Sequence, residues 1–257
     1  MKTLIIIPTY NEVDNLRPLL VEIFAQVPQS DILIIDDNST DGTGQLADAI
    51  HAEHSQIHVI HRPHKLGLGT AYVTGFKYAL AHGYDAVFEM DADFSHDPRH
   101  LPAFLQAIEQ ADLVIGSRYV QGGDTPGWSP LRRLISGSGN VFARLLLGIP
   151  IRDCTAGFRC YRLEVLRNID LDTIQSEGYA FKVELTYRVL NQGFKIVEIP
   201  IVFIDRRIGK SKMSHKIVIE AFIYVLQARL SVSKKPGKIL PSTPEIGSIL
   251  YSGERDK

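Results

Sequence analysis

Ala86-Val87-Phe88-Glu89-Met90-Asp91-Ala92-Asp93 decides how the rest of the chain is read, because an apolar run of strand length ends in two carboxylates one residue apart. A continuous apolar run of this size reads as a strand covered on both faces, the habit of parallel sheets in α/β proteins. Two carboxylates at the end of such a strand can hold a hard divalent cation through oxygen and leave its other positions open to diphosphate oxygens. Taken alone, the same acidic pair also reads as a solvated turn. Its surroundings in the sequence separate the two readings.

Four more runs of the same kind occur at Leu4–Ile7, Ile32–Ile35, Ile57–Ile60 and Leu113–Ile115. Helical periodicity lies between them, at Asn15–Val27, Thr43–His54, Leu68–His82 and Pro98–Gln110, the last with Asp97 as N-cap and Pro98 at the first helical position. This alternation implies a parallel, twisted α/β sheet whose ligand sites lie beyond the carboxyl ends of the strands. Polar residues stand at those ends: Pro8-Thr9-Tyr10-Asn11-Glu12, Asp36-Asp37-Asn38-Ser39 and Asp91-Ala92-Asp93. Asp36 and Asp37 occupy the position from which a carboxylate meets a ribose hydroxyl or a base edge. Ser39 and Asp41 read as caps of the following helix.

The pattern changes at Gln121. A loop holding Gly122, Gly123, Pro126, Gly127 and Pro130 leads into a helix over about Leu131–Leu147, with Leu134, Val141, Phe142, Leu145 and Leu146 at helical spacing and Arg132, Arg133 and Arg144 nearby. Lys195–Asp205 reads as a long strand which, containing Pro200, belongs at an edge or a bulge. A second amphipathic helix is expected near 214–230. Residues 1–232 then make one domain with interface helices near 131–148 and 214–230, and 233–257, rich in Lys, Pro, Ser and Gly, make a flexible tail.

Composition bounds the function. With 45% hydrophobic and 22% charged residues in 257, the chain is neither disordered, collagen-like nor polytopic. Cys154 and Cys160 form neither a disulfide framework nor a paired zinc motif, and read as buried thiols of a reducing compartment. A net charge of −1 excludes a whole-molecule nucleic-acid footprint. The charge is nevertheless uneven: Arg206–Lys238 carries nine basic residues against Glu220, a balance of +8, which leaves −9 for the remainder. Such a basic end points to a phosphate-bearing ligand or a membrane surface. No segment is expected to span a bilayer, since Leu4–Ile7 is stopped by Pro8 and Glu220 interrupts the apolar stretch after Lys216, short of the ~20 residues required. Gly67-Leu68-Gly69 lacks the third glycine of a dinucleotide fingerprint, where Tyr72 stands, and there is no P-loop motif.

Together, Pro8–Glu12, Asp36–Thr43, Lys65–Gly69, Asp91–Asp93 and Gly116-Ser117-Arg118-Tyr119 resemble the family 2 glycosyltransferases of glycosyltransferase-A fold. Gly127–Arg133, Arg152–Arg159, Ser176–Tyr179 and Asp205–Met213 resemble the branch of that family that makes dolichol or polyprenol monophosphate mannose. The resemblance covers residues 2 to 230. It implies transfer of mannose from a GDP-mannose donor to a polyprenyl phosphate acceptor, at the cytosolic face of a membrane. It also implies peripheral membrane contact, with or without a separate membrane anchor subunit.

By the same resemblance, Pro8, Tyr10, Glu12, Asp36, Asp37, Lys65 and Asp91 line the nucleotide site, and Asp91 and Asp93 hold Mg2+ or Mn2+. Ser95 stands where some relatives carry Gln and is the remaining candidate metal ligand. Arg118, Arg132, Arg133, Ser136, Arg206 and Lys212 would meet the acceptor phosphate. Asp93, Arg118, Asp153, Arg206 and Lys212 are the candidate catalytic residues, although Asp153 equally suits an ion pair with Arg152 or Arg159. Arg206–Lys212, with Gly209, is expected to form a mobile acceptor loop. Three other readings stay open: a UDP-sugar donor with the same acceptor class, a nucleotidyltransferase that releases pyrophosphate, and a non-catalytic membrane-binding module.

Overall fold

The computed structural model describes residues 1–174, 176 and 178–204. Its elements follow in the order β1 (Thr3–Thr9), α1 (Val13–Gln26), β2 (Asp31–Asp36), α2 (Thr43–Glu53), β3 (Ile57–His61), α3 (Leu68–His82), β4 (Ala86–Glu89), α4 (Leu101–Ile108) and β5 (Leu113–Ser117). After these come α5 (Pro130–Leu147), β6 (Arg159–Arg162), α6 (Leu163–Arg167), α7 (Gly178–Asn191) and β7 (Ile196–Pro200). The seven strands form one sheet in the order β3-β2-β1-β4-β6-β5-β7.

The apolar runs form strands for the reason the sequence suggests. Leu4 and Ile6 face one layer with α3, α6 and α7, while Ile5 and Ile7 face the other with α1, α2 and α4, and all four are wholly buried. Parallel pairing of β1 with both β2 and β4 brings the carboxyl ends of the three strands to one edge, with Thr9 opposite Asp36. Close packing of α3 on β1 requires Gly75, where a Cβ would lie 2.6 Å from Ile6.

The sheet is mixed, which corrects the all-parallel expectation. Strand β6 runs antiparallel to both β4 and β5 and separates them. Its four residues, Arg159-Cys160-Tyr161-Arg162, form no apolar run, and Arg159 is wholly buried there. Strand β7 lies at the sheet edge and ends at Pro200, as its proline requires. Asp97 caps the Pro98–His100 turn before α4 by accepting from Arg99 N. Ser39 does not cap α2, whose N-cap is Gly42, and Asp41 instead accepts from Thr43 N at 3.0 Å.

Ser129 caps α5, and Pro130 opens it. Only Asn140 and Ala143 of this helix are buried, while Phe142, Leu146 and Leu147 pack against the core part-way. Leu131, Leu134, Ile135, Val141 and Leu145 are all at least half exposed. No helix among the described residues is long and apolar enough to cross a membrane. The second amphipathic helix, the acceptor loop and the tail lie outside the described residues.

Candidate active site

Three strand ends build the floor of the site. The loops after β1 and β2 are joined to each other: Thr9 Oγ1 and Ser39 Oγ donate to Asp36 Oδ1 at 2.9 and 2.6 Å, and Ser39 N donates to Asp36 Oδ2 at 2.9 Å. Asn11 N donates to Ser39 Oγ, Thr40 N donates to Asn11 Oδ1, and Glu12 N donates to Thr43 Oγ1, each at 2.9 Å. Asp37 pairs with Arg62, which also donates to Gly67 O at 2.8 Å. Asp36 and Asp37 are thus buried and occupied in shaping the rim. Lys65 Nζ lies over the Tyr10 ring at 4.2 Å; Pro8 is half-buried, and Glu12 is the N-cap of α1.

Among the described residues three non-glycine residues adopt left-handed backbone, and all three stand in the loops after β1, β2 and β4: Asn11, Asn38 and Phe94. Backbone strain of this kind costs about 1–3 kcal/mol per residue and collects at functional sites.

Asp91 and Asp93 follow β4. Asp93 and Ser95 are buried, whereas the Asp91 side chain is about a third exposed. Ser95 N donates to Asp93 Oδ1 at 3.1 Å. Asp91 N donates to His96 Nδ1 at 2.9 Å, which puts the imidazole proton on Nε2, 3.9 Å from Asp91 Oδ2. Burial holds His96 below its ordinary pKa against the opposing pull of Asp91 and Asp93. The ring is seated on Phe158 at 4.9 Å and 13°. Tyr72 Oη donates to Asp91 Oδ1 at 3.1 Å, and burial, then Asp91, push this phenol far above its ordinary pKa.

Among the described residues no group of three His, Cys, Asp or Glu side chains is placed to enclose a metal ion. A part-exposed and a buried carboxylate one residue apart form a different kind of site, one that suits a cation completed by water and phosphate oxygens. Mg2+ and Mn2+ are held this way, so the donor set fits such an ion.

The second half of the site is cationic. Arg118 and Asp153 form a buried bidentate pair, Arg118 Nε and Nη2 each donating at 2.7 Å while Arg118 N donates at 3.0 Å. Burial opposes the Arg118 cation, but Asp153 outweighs it and raises the pKa. The partner of Asp153 is therefore neither Arg152 nor Arg159. Arg159 donates to the carbonyls of Ala156, Lys182 and Cys154, and the Arg152 backbone N–H binds Glu198. Asp153 is wholly buried, and Arg118 lies against it.

Arg132 Cζ stands 4.0 Å above the Trp128 ring, and Arg118 Cζ is 5.4 Å from the same ring. Tyr119 Oη donates to Ser136 Oγ at 2.7 Å. Arg118, Arg132 and Ser136 are brought together in this way, whereas Arg133 turns to Thr125 O at 2.8 Å. Arg206 and Lys212 lie outside the described residues.

The acidic and cationic halves adjoin. Thr155 accepts from Arg118 at 2.9 Å, and a Cβ on Gly157, two residues on, would lie 3.8 Å from Asp91 Oδ2. Phe203 meets both His96 at 6.0 Å and Trp128 at 5.6 Å. Sequence reasoning missed Tyr72, His96 and Lys182. His96 had a local signal, lying three residues after Asp93, but Tyr72 and Lys182 reach the site only through the fold.

Residues 4–170 match the family model described as glycosyl transferase family 2. The chain is 50% identical over 225 residues to an undecaprenyl-phosphate mannosyltransferase of Micrococcus luteus, covering 88% of this chain and 93% of that one. It is 48% identical over 228 residues to a polyprenol monophosphomannose synthase of Mycolicibacterium smegmatis, covering 88% and 86%. Among solved structures it shares the fold of the mannosyltransferase PcManGT from Pyrobaculum calidifontis, in complex with GDP-Man and Mn2+, with a TM-score of 0.61 at 14% identity, covering 91% of this chain and 66% of that one. It also shares the fold of glucosyl-3-phosphoglycerate synthase from Mycobacterium tuberculosis, with a TM-score of 0.63 at 16% identity, covering 91% and 81%.

Proposed function

The chain belongs to glycosyl transferase family 2, with the glycosyltransferase-A fold, and from that premise we propose that it moves mannose from GDP-mannose to a polyprenyl phosphate, inverting the anomeric centre and releasing GDP. The observation that carries this reading is the loop 153–157, which touches Arg118 at one end and reaches the Asp91 carboxylate at the other. A divalent-cation site for a diphosphate and a guanidinium site for a second phosphate then lie side by side.

On this reading Pro8, Tyr10, Glu12 and Lys65 border the nucleoside, with Asp36 and Asp37 holding the rim in shape. Asp91, Asp93 and Ser95 would hold Mg2+ or Mn2+, which when bound offsets the charge that grows on the diphosphate leaving group. The acceptor needs no strong base, because a phosphate monoester with its second pKa near about 6 is largely ionised at neutral pH. Arg118 and Arg132 neutralise and aim that phosphate, and Ser136 offers a hydroxyl. Asp153 keeps the Arg118 guanidinium in place before the substrate arrives, so that little reorganisation is needed on binding. Arg206 and Lys212, which lie outside the described residues, are proposed by the family resemblance to add positive charge toward the same phosphate.

The lipid chain of the acceptor calls for peripheral attachment at a membrane, on its cytosolic face. The outward leucines of α5 supply an apolar surface for this, alone or with a separate anchor subunit. The test is incubation with radiolabelled GDP-mannose or UDP-glucose, Mg2+ and a polyprenyl phosphate, followed by organic extraction. Label enters the organic phase from GDP-mannose, and entry from UDP-glucose alone overturns the mannose reading.

A further inference from the structure

The carboxylate pair rests on a buried polar layer that the transfer reaction itself does not use. Tyr72 of α3 is wholly buried, lies parallel to Phe181 of α7 at 6.2 Å and 11°, and donates to Asp91 Oδ1. Lys182 of α7 places Nζ 3.9 Å from the centre of the same ring and pairs with Glu89 Oε2 at 2.6 Å. Glu89 is the last residue of β4, two before Asp91, and is also wholly buried. One phenol is thus carried by α3, stacked by α7, and tied through Lys182 and Glu89 to the strand whose end bears Asp91.

A phenol held so firmly restricts what Asp91 can do. A free carboxylate turns about its last torsion and offers either oxygen, or both. Here Oδ1 is engaged, and Oδ2 is the oxygen that faces His96 Nε2 and the Gly157 edge of the site. The Lys182 ammonium over the ring draws on its π density and strengthens the O–H as a donor. Ligation through single oxygens suits the near-octahedral shell of Mg2+ or Mn2+, whereas Ca2+ accepts bidentate carboxylates and irregular shells.

We propose that Tyr72 is a positioning residue that holds Asp91 to ligation through one oxygen, so that the site selects a small octahedral divalent cation over calcium. This rests on the reading of Asp91 as a metal ligand.

Tyr72→Phe keeps the ring, its stacking and its burial and removes only the hydroxyl. The measurement is titration of Mn2+ alone into the purified protein, free Mn2+ being read by electron paramagnetic resonance, with Ca2+ then added as competitor. Loss of a group that orients a metal ligand weakens binding by about 10- to 100-fold. The variant is expected to raise the Mn2+ dissociation constant at least tenfold and to let Ca2+ displace Mn2+ at a lower ratio to Mn2+ than in the parent. A dissociation constant within twofold of the parent overturns the proposal. If Asp91→Asn abolishes Mn2+ binding while Tyr72→Phe does not weaken it, only the role of Tyr72 fails. If Asp91→Asn also binds Mn2+ normally, the metal site itself fails, and the proposal with it. Ile23→Ala, a buried truncation in α1 on the opposite face of the sheet, controls for general loosening of the fold. It is expected to lower the melting temperature and spare Mn2+ affinity, and equal weakening there overturns the proposal.

Discussion

The two walls of the site, the strand ends and α5, are built on opposite terms. At the ends of β1, β2 and β4 polar groups turn inward: Asp36 takes three hydrogen bonds, Asp37 holds Arg62, and Asn11 joins two loops. Along α5 apolar groups turn outward, with Leu145 81% and Leu134 68% exposed. The first wall is cross-linked by hydrogen bonds within the protein itself, and its left-handed Asn11 takes part in two of them. The second leaves an apolar stripe uncovered, the mark of a surface that meets another apolar phase. Shape is therefore set in advance where a soluble nucleotide sugar would bind, and left to the environment where a lipid would.

The strongest way to break this contrast is at the pre-set wall. Asp93→Asn keeps an oxygen for Ser95 N–H and removes only charge, so the fold should stand while transfer falls by roughly 10^3-fold or more. A variant that retained a tenth of the parent rate would show that the carboxylate is scenery.

At the junction of the walls, Asp153→Ala strands the buried Arg118 cation. Breaking one side of a buried ion pair costs about 3–5 kcal/mol, to be read as a drop in the urea midpoint together with a raised acceptor KM. Unchanged stability would mean that Arg118 finds another partner, and that Asp153 does not set its position.

A smaller effect is expected on α5. Leu134→Glu with Leu145→Glu should leave unfolding free energy within about 0.5 kcal/mol, because both side chains are exposed. Affinity for liposomes should fall at least tenfold, since each leucine withdrawn from an apolar phase forfeits up to about 1.5–3 kcal/mol. Transfer to a short, water-soluble polyprenyl phosphate should stay within twofold. If liposome affinity survives, the stripe is not the membrane contact.

What could be read from sequence follows the same division. The strand-end carboxylates and the α5 stripe are local patterns, an apolar run stopped by acids and a 3.6-residue period, and both stand where they were expected. The five apolar runs became strands, four of them wholly buried and the fifth, β3, half-buried at the sheet edge. Strand β6 was not legible, because its buried Arg159 is satisfied by the carbonyls of Ala156, Cys154 and Lys182, and nothing in Arg-Cys-Tyr-Arg marks that in advance. The Arg118–Asp153 pair spans 35 positions and the Lys182–Glu89 pair 93, so the polar layer beneath the site exists only once the fold has closed. Both cysteines are buried, as composition implied, but sequence gave no hint of the contact that Cys154 makes.

That contact offers the finest test of how the two walls are joined. Cys154 Sγ donates to Asn140 Oδ1 at 3.1 Å, and Asn140 Nδ2 donates to Thr155 Oγ1 at 3.0 Å, seating α5 on the loop that reaches Asp91. Burial, helped by Asp153, pushes the thiol up to about 12. The fold therefore favours the neutral thiol. Its contribution is whole below the ordinary thiol pKa of about 8.5 and is lost as pH rises from there toward 12. At pH 8 the smaller thiolate fraction alone should make Cys154 react with a thiol reagent on the order of 10^3 times more slowly than in the unfolded chain. Asn140→Ala should speed that labelling without altering the rate in denaturant. Rapid labelling of the native parent at pH 8 would mean that α5 lifts from the loop on its own, and that this side of the site is hinged where the structure shows it seated.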